Sequence, residues 1–284
     1  MVKSNGKTVL LCGVILIGVT TSAFALEKMV YKTAGTYEYT APAFGTIHSI
    51  QVTMVGGGGG GSGGDPGFGT GTDSGSMYAN MLEPNLSSGG GGGSGAVKTC
   101  NFYPPSMDNQ VLAIKINVGA GGKGGMGGAT GNPGGKKGEN GGDTSITTTD
   151  TATASRNPIY GSQSGMMAAG GSGGTGTSFE FSKRSEIRTG GAGGGLSVAC
   201  RFPDANPISE APGLSGDTGT WRTPGAGAAG SLLEACTGAG AGGKGGLMGL
   251  MSNPHDIIKG LPADPGLPGE SGTDGCVILE LVPW

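Results

Sequence analysis

Two overlapping strings carry the residue types of nucleotide-binding loops. Residues 238–244 match the first seven positions of a phosphate-binding loop, and residues 238–243 match the spaced glycines of a dinucleotide site. A phosphate-binding loop needs Ser or Thr after its lysine to place a magnesium ion, but Gly245 follows here. The dinucleotide pattern needs a strand–helix–strand setting, which this glycine-rich sequence lacks. Both matches follow from glycine content, and the sequence predicts no nucleotide cofactor.

The chain is poor in side chains for acid–base and nucleophilic chemistry. Its two histidines, His48 and His255, are far apart, so no convincing Ser, His and Asp set is present. Acidic residues such as Glu270 and Asp274 lie in a run of triplets, where solvated side chains are the simpler interpretation. The sequence therefore predicts a protein that is not an enzyme, with no catalytic residue and no cofactor.

The cysteines point to disulfide bonds. Cys12 lies in the amino-terminal apolar segment, and the remaining cysteines form an even set: Cys100, Cys200, Cys236 and Cys276. Two structural disulfides are the simplest expectation, and three connectivities are possible. Because no pair has the close spacing of a zinc knuckle, bridges are favoured over a metal site.

The first 25 residues resemble a secretory signal peptide. Lys3 and Lys7 precede an apolar stretch at 9–19, and the small residues at 23–25 suit cleavage after Ala25. The alternative is a retained anchor, but the apolar run is shorter than the ~20 residues of a membrane-spanning helix. We therefore expect a secreted protein, extracellular or at the cell surface, with the periplasm as a further option and no stable membrane span after cleavage.

Composition excludes a large apolar core. Glycine accounts for 66 of the 284 residues, whereas Leu, Ile, Val and Phe together account for 50. That share is below the ~20% at which a chain begins to bury a sizeable core. Loss of Lys3 and Lys7 with the signal peptide leaves 15 basic and 20 acidic side chains, a net charge of -5. Nucleic acid is therefore not an expected partner.

A few short segments alternate apolar and polar residues with the period of a β-strand. They are residues 36–40, 47–55, 111–118 and 276–282, with 177–181 as a weaker candidate. In the segment 111–118, for example, Ile114, Ile116 and Val118 alternate with Lys115 and Asn117. These strands predict a single small β-sandwich within residues 26–284.

Glycine-rich tracts make up most of the remaining chain. They cover residues 56–64, 89–95, 119–142, 161–176, 189–195, 225–230 and 238–249. Many of their glycines recur at every third position, as at Gly122, Gly125 and Gly128. A period of three belongs to the polyproline II helix, in which glycine lets backbones approach closely. The pattern favours short three-fold helices packed side by side, and flexible linkers are the other interpretation.

One heptapeptide occurs in two of these tracts. The string GAGGKGG is found at 119–125 and again at 240–246. Flexible linkers have no reason to keep such a motif or a period of three, so the repeat supports an ordered bundle inserted into the sandwich.

Three strings resemble the glycine-rich domain family of bacterial and phage surface proteins. They are GTYEYTAPAFGTIHSIQVTMVGGGGGGSGG at 35–64, LAIKINVGAGGKGG at 112–125 and DGCVILELVPW at 274–284. The resemblance implies a jelly-roll-like β-sandwich whose loops extend into polyglycine II helices. Similar material occurs in phage tail-fibre tip adhesins, receptor kinases and springtail antifreeze proteins, so the family implies no single activity. The signal peptide departs from the phage adhesins and favours a cell-encoded secreted protein.

Large apolar side chains are concentrated in inserts between the glycine tracts. Exposed aromatic and methionine side chains on a rigid frame are typical of a recognition surface, and capping of the tract ends is the other interpretation. The possible ligand-contact residues are Met77, Tyr78, Phe102, Tyr103, Tyr160, Met166, Phe202, Met248 and Met251.

These features lead to one functional hypothesis and one alternative. The first is a secreted, non-enzymatic structural or adhesion protein whose loop tips bind a surface glycan, lipopolysaccharide or an envelope protein. The alternative is an ice-binding protein, because flat bundles of polyglycine II helices present regular faces. Oligomeric state is not predicted.

Overall fold

The computed structural model describes residues 27–40, 47–66, 87–102, 113–129, 134–148, 165–176, 188–196, 200, 206–220, 223–249 and 264–283. Nine strands lie in these residues: β1 Glu27–Tyr31, β2 Gly35–Thr40, β3 Ile47–Val55, β4 Val97–Phe102, β5 Ala113–Val118, β6 Thr144–Thr148, β7 Gly165–Ala168, β8 Asn206–Ala211 and β9 Cys276–Pro283. A single 3₁₀ turn at Glu234–Cys236 is the only helical element described.

The strands form two antiparallel sheets. One has the order β1-β9-β3-β4-β8, and the other has the order β2-β5-β6-β7. Apolar side chains from both sheets share one buried core, which includes Ile50, Val52, Met54, Ile114, Ile116, Ile146 and Leu279. The mostly β architecture is consistent with the expected sandwich. Its apolar core is small, as the low content of Leu, Ile, Val and Phe predicts.

Alternation of residue type accounts for the strands that the sequence predicts. In β5, Ile114, Ile116 and Val118 are buried, whereas Lys115 and Asn117 face solvent. Strands β2, β3, β5 and β9 lie where this pattern placed strands, and the candidate at 177–181 lies outside the described residues. The pattern did not indicate β1, β4, β6, β7 and β8, which are short or rich in polar residues.

Ten glycine-rich tracts run between the strands and are neither helix nor strand. In chain order they are tract 1 (56–66), tract 2 (87–96), tract 3 (119–129), tract 4 (134–143), tract 5 (169–176), tract 6 (188–196), tract 7 (212–220), tract 8 (223–231), tract 9 (240–249) and tract 10 (264–275).

Tract 1 is hydrogen-bonded through its backbone to tracts on all sides. Its successive amides donate to tract 2, tract 4 and tract 10, and this order repeats every third residue from Gly56 to Asp65. Its carbonyl oxygens accept from tract 3, tract 5 and tract 9 with the same period. Gly60, for example, donates to Glu139 at 2.9 Å and accepts from Gly174 at 2.8 Å. Tract 1 therefore has six neighbouring tracts.

Tract 2 repeats this arrangement beside tract 1. It donates to tract 5, tract 7 and tract 9, and it accepts from tract 1, tract 6 and tract 8. The other eight tracts enclose this central pair in a ring that follows chain order, from tract 3 to tract 10. Bonds such as Gly269 N–H to the Gly125 oxygen, 2.8 Å, close the ring between tract 10 and tract 3.

Two disulfides tie this bundle to the sheets. Cys100 of β4 bonds Cys200, which follows tract 6, and Cys236 bonds Cys276, the first residue of β9. The expectation of two bridges is confirmed, and one of the three possible connectivities is selected. Their closed loops span 100 and 40 residues. In the chain-entropy model each bridge then destabilises the unfolded chain by about 4 to 5 kcal/mol.

We predict that Gly60→Ala destabilises the protein, whereas Gly195→Ala does not. A methyl group at Gly60 would overlap the carbonyl oxygen of Lys123, and the tight lattice leaves no room for it. Overpacking of this kind costs about 3 kcal/mol. At Gly195 the added methyl meets nothing within 4 Å, so we expect a change within about 0.5 kcal/mol. Chemical denaturation of both variants measures the difference, and equal stability would contradict this account.

Candidate functional site

The order of strands and tracts divides the connections into two groups. Tract 1 leaves the sheets after β3, and tract 2 returns to them at β4, so the connection at 67–86 joins tract ends that are remote from the sheets. We call that end of the bundle the distal end. The connections at 130–133, 177–187, 221–222 and 250–263 also join distal tract ends, whereas 103–112 and 149–164 join strands at the opposite end of the molecule.

A buried ion pair lies at the distal end. The Arg188 guanidinium, at the start of tract 6, donates to the Asp65 carboxylate and to the Gly63 carbonyl oxygen. Asp65 also accepts the backbone N–H of Ser87 at 3.0 Å and that of Gly135 at 3.3 Å. Burial lowers the pKa of Arg188 from its ordinary value, and Asp65 opposes that shift. The pair therefore joins tracts 1, 2, 4 and 6 at the distal end.

Arg188 and Ser62 continue the hydrogen-bond lattice where tract 5 ends. Tract 5 donates to Gly57 and Gly60 of tract 1, and the next acceptor in that row, the Gly63 oxygen, receives Arg188 instead. On the neighbouring row, the Ser62 hydroxyl oxygen accepts the N–H of Gly90 at 2.9 Å. Side chains thus take the place of backbone groups at these two positions, and the lattice around tract 1 stays bonded up to Asp65.

The proposed ligand-contact residues are distributed over both ends of the molecule. Met77 and Tyr78 in the connection 67–86, and Met251 in 250–263, belong to the distal group by their flanking tracts; all three lie outside the described residues. Tyr103, Tyr160 and Phe202 also lie outside them, in connections that flank the sheets. Phe102 ends β4.

Two of the proposed contact residues are not exposed at loop tips. Met166 lies in β7 and is fully buried in the core between the sheets, and Met248 is buried in tract 9. The sequence placed both in irregular inserts, but Met166 follows the strand period and Met248 occupies an inward position of a glycine tract. Neither side chain presents a surface for a ligand.

Exposed apolar side chains also occur within the glycine-rich tracts, outside the inserts between them. Met126 of tract 3 is 68% exposed, and Leu267 of the adjacent tract 10 is 53% exposed. Tract 4 lies on the other side of tract 3, where the Lys136 N–H donates to the Met126 oxygen at 2.7 Å. The glycine period of three could have predicted this exposure, because every third residue of tract 3 faces solvent: Ala120, Lys123, Met126 and Ala129.

Comparison with known proteins adds no assignment. No protein-family model matches the chain, and no curated protein matches it. Among the described residues, no group of three or more His, Cys, Asp or Glu is placed to hold a metal ion. No helix in the described part of the chain is long and apolar enough to cross a membrane.

We predict that Arg188→Met lowers the free energy of unfolding by about 3 to 5 kcal/mol, because it leaves the buried Asp65 carboxylate without its cation. The matched control is Lys28→Met, which breaks the partly exposed Lys28–Glu280 pair at 2.9 Å and costs less than about 1 kcal/mol. Denaturant titration of both variants tests this expectation. Similar losses in the two would show that the buried pair does not stabilise the bundle.

Proposed function

We propose that the ten tracts are polyglycine II helices inserted into a jelly-roll-like sandwich. The supporting observation is the period of the hydrogen bonds. In each tract of the central pair, successive residues bond to different neighbouring tracts, and every third residue bonds to the same tract again. Three residues per turn is the geometry of the polyproline II family. The resemblance to the glycine-rich domain family points to the same architecture.

This proposal predicts slow amide exchange in tract 1 and a far-ultraviolet circular dichroism spectrum of the polyproline II type that is lost cooperatively on heating. The amides of residues 56–65 should be as protected as those of β3, because both are buried and bonded. Solvated linkers would exchange at the rate of unstructured peptides, and that result would refute an ordered bundle.

We further propose that the protein is secreted and non-enzymatic, and that it acts as an adhesion or structural protein that presents its distal end to a ligand. The single observation that supports this is the position of the long connections between tracts. The longest, 67–86, starts and finishes at the distal end, and so does 250–263. They carry Met77, Tyr78 and Met251. Two disulfides are consistent with an oxidising compartment.

The ligand classes remain a surface glycan, lipopolysaccharide or an envelope protein. Methionine and tyrosine side chains suit such partners, because they offer large contact area to apolar groups and sugar rings. Ice binding has less support, since a flat ice-binding face needs uniform short residues. The outer surface of the bundle instead carries projecting side chains such as Lys123, Met126 and Leu267.

We predict that replacing Met77, Tyr78 and Met251 together by Ser weakens binding to washed bacterial cells or isolated envelopes at least tenfold. A tenfold loss corresponds to about 1.4 kcal/mol, and truncation of a few central contact residues exceeds this in most interfaces. The control is Tyr160→Ser, which alters a connection at the opposite end and should leave binding unchanged.

Binding isotherms of the labelled mature protein measure this difference. Absence of binding by the wild-type protein, or an equal loss in the control, would contradict a ligand site at the distal end. Unchanged circular dichroism of each variant shows that its fold is intact.

A further inference from the structure

One residue of tract 1 holds both ends of the longest distal connection. Asp65 lies just before the connection 67–86, and Ser87 lies just after it. The two residues are bonded in both directions. The Asp65 N–H donates to the Ser87 oxygen at 3.1 Å, and the Ser87 N–H donates to the Asp65 carboxylate at 3.0 Å. The start and the finish of this connection are therefore held in direct contact.

The same carboxylate binds the chain where two further distal connections finish. Gly135 comes shortly after the connection 130–133 and donates its N–H to Asp65 at 3.3 Å. Arg188 comes directly after the connection 177–187, and its guanidinium donates to the same carboxylate oxygen. Both tract starts are thus fixed relative to Asp65.

A fourth connection is bonded to the backbone of Asp65. Gly249 lies just before the connection 250–263, and its N–H donates to the Asp65 carbonyl oxygen at 2.8 Å. Asp65 therefore contacts one end or both ends of four distal connections. We call this group the distal clasp, and its members are Asp65, Ser87, Gly135, Arg188 and Gly249.

The charges of the distal clasp are withdrawn from solvent. Asp65 is 2% exposed and Arg188 is fully buried. Well-packed apolar residues often stabilise a protein as much as a buried ion pair does, because the charges lose their hydration. A carboxylate, however, accepts hydrogen bonds at defined positions around its two oxygens. The buried pair therefore specifies one arrangement of the chain ends around it.

We propose that Asp65 and Arg188 are positioning residues for the ligand site at the distal end. This inference rests on the proposed function, in which side chains of the connections 67–86 and 250–263 contact the ligand. Asp65 is bonded to an end of each of these connections. A ligand that contacts both then meets chain ends that are already fixed, so less conformational entropy is lost on binding.

Asp274 offers a matched comparison at the other end of the bundle. Its carboxylate also accepts two backbone N–H groups, from Ala34 and Gly121, each at 2.9 Å. Asp274 lies where tract 10 joins β9, away from the distal connections. Loss of this carboxylate should disturb the junction with the sheets and leave the distal clasp intact.

The double variant Asp65→Asn/Arg188→Met is the main probe. It removes both charges, so no unpaired charge stays in the interior and the fold is retained. One carboxylate oxygen becomes an amide group that cannot accept a hydrogen bond. Since both oxygens of Asp65 accept bonds in the native protein, at least one donor of the clasp then loses its acceptor.

Hydrogen exchange followed by NMR tests the clasp without a ligand. In the full mature double variant, we expect amide exchange at Ser87, Gly135 and Gly249 to rise about tenfold or more. Gly249 is the decisive reporter, because its N–H bonds to the backbone of Asp65 and not to the carboxylate. Asp274→Asn should leave all three amides as protected as in the wild-type protein.

Binding of the labelled mature protein to isolated bacterial envelopes tests the positioning role. The double variant should bind about fivefold or more weakly, whereas Asp274→Asn should bind as the wild-type protein does. Circular dichroism confirms that each variant is folded. If the double variant does not fold, Arg188→Lys takes its place, because it keeps the charge but loses the guanidinium fork. It should show the same changes with smaller size.

Three results would overturn the proposal. The first is faster exchange at Ser87 and Gly135 while Gly249 stays protected, which would show that the chain ends are not coupled. The second is unchanged envelope binding by the variant, and the third is an equal loss of binding in Asp274→Asn. Absence of binding by the wild-type protein would instead refute the proposed function, and hydrogen exchange would still decide whether the clasp couples the connections.

Discussion

Backbone hydrogen bonding between tracts is the constraint on which the rest of the structure depends. Each amide of tract 1 reaches a carbonyl oxygen on another tract at about 2.9 Å, and a Cβ atom on most of its glycines would overlap a neighbouring backbone. Ordering glycine costs about 0.5 to 1 kcal/mol more than ordering alanine, and each bond returns a net ~1 kcal/mol. Because ordering the backbone of one residue costs about 1 to 2 kcal/mol in total, hydrogen bonds alone do not hold the tracts, and the bundle also depends on the sandwich and the disulfides.

The sheets and the glycine tracts stabilise each other at the junction between them. Strand β3 continues into tract 1 without a turn, and the buried Thr144 hydroxyl donates to the Val55 oxygen at 2.7 Å and accepts the Gly119 N–H at 3.0 Å. One side chain thus aligns tracts 1, 3 and 4 as they leave the sandwich. The apolar core fixes the strands, and the strands set the starting positions of the lattice.

Sequence alone predicted the features that repeat locally. The alternation in β5, the even set of cysteines and the period of three are visible within a few residues. The reason for the repeated GAGGKGG string is visible only in the structure. Tracts 3 and 9, which contain the two copies, both donate hydrogen bonds to tract 1 through an inward glycine, Gly122 to Gly58 and Gly243 to Gly59. Arg188 and the polar strand β6 could not be predicted, because their burial depends on partners more than 25 residues away in the chain.

The same hydrogen-bond lattice determines which positions of the tracts are able to carry functional side chains. Along the middle of the bundle, a position that faces another tract accepts only glycine or a small residue, and a larger inward side chain such as Met248 occurs only near a tract end. Positions that face solvent carry no such demand, and tract 10 places Pro265 and Pro268 there, where the missing N–H costs no bond within the bundle. Large and charged residues at these outward positions are not needed to hold the tracts together. Side chains that contact a ligand are therefore expected at these outward positions or in the connections between tracts, and not along the inward rows of the lattice.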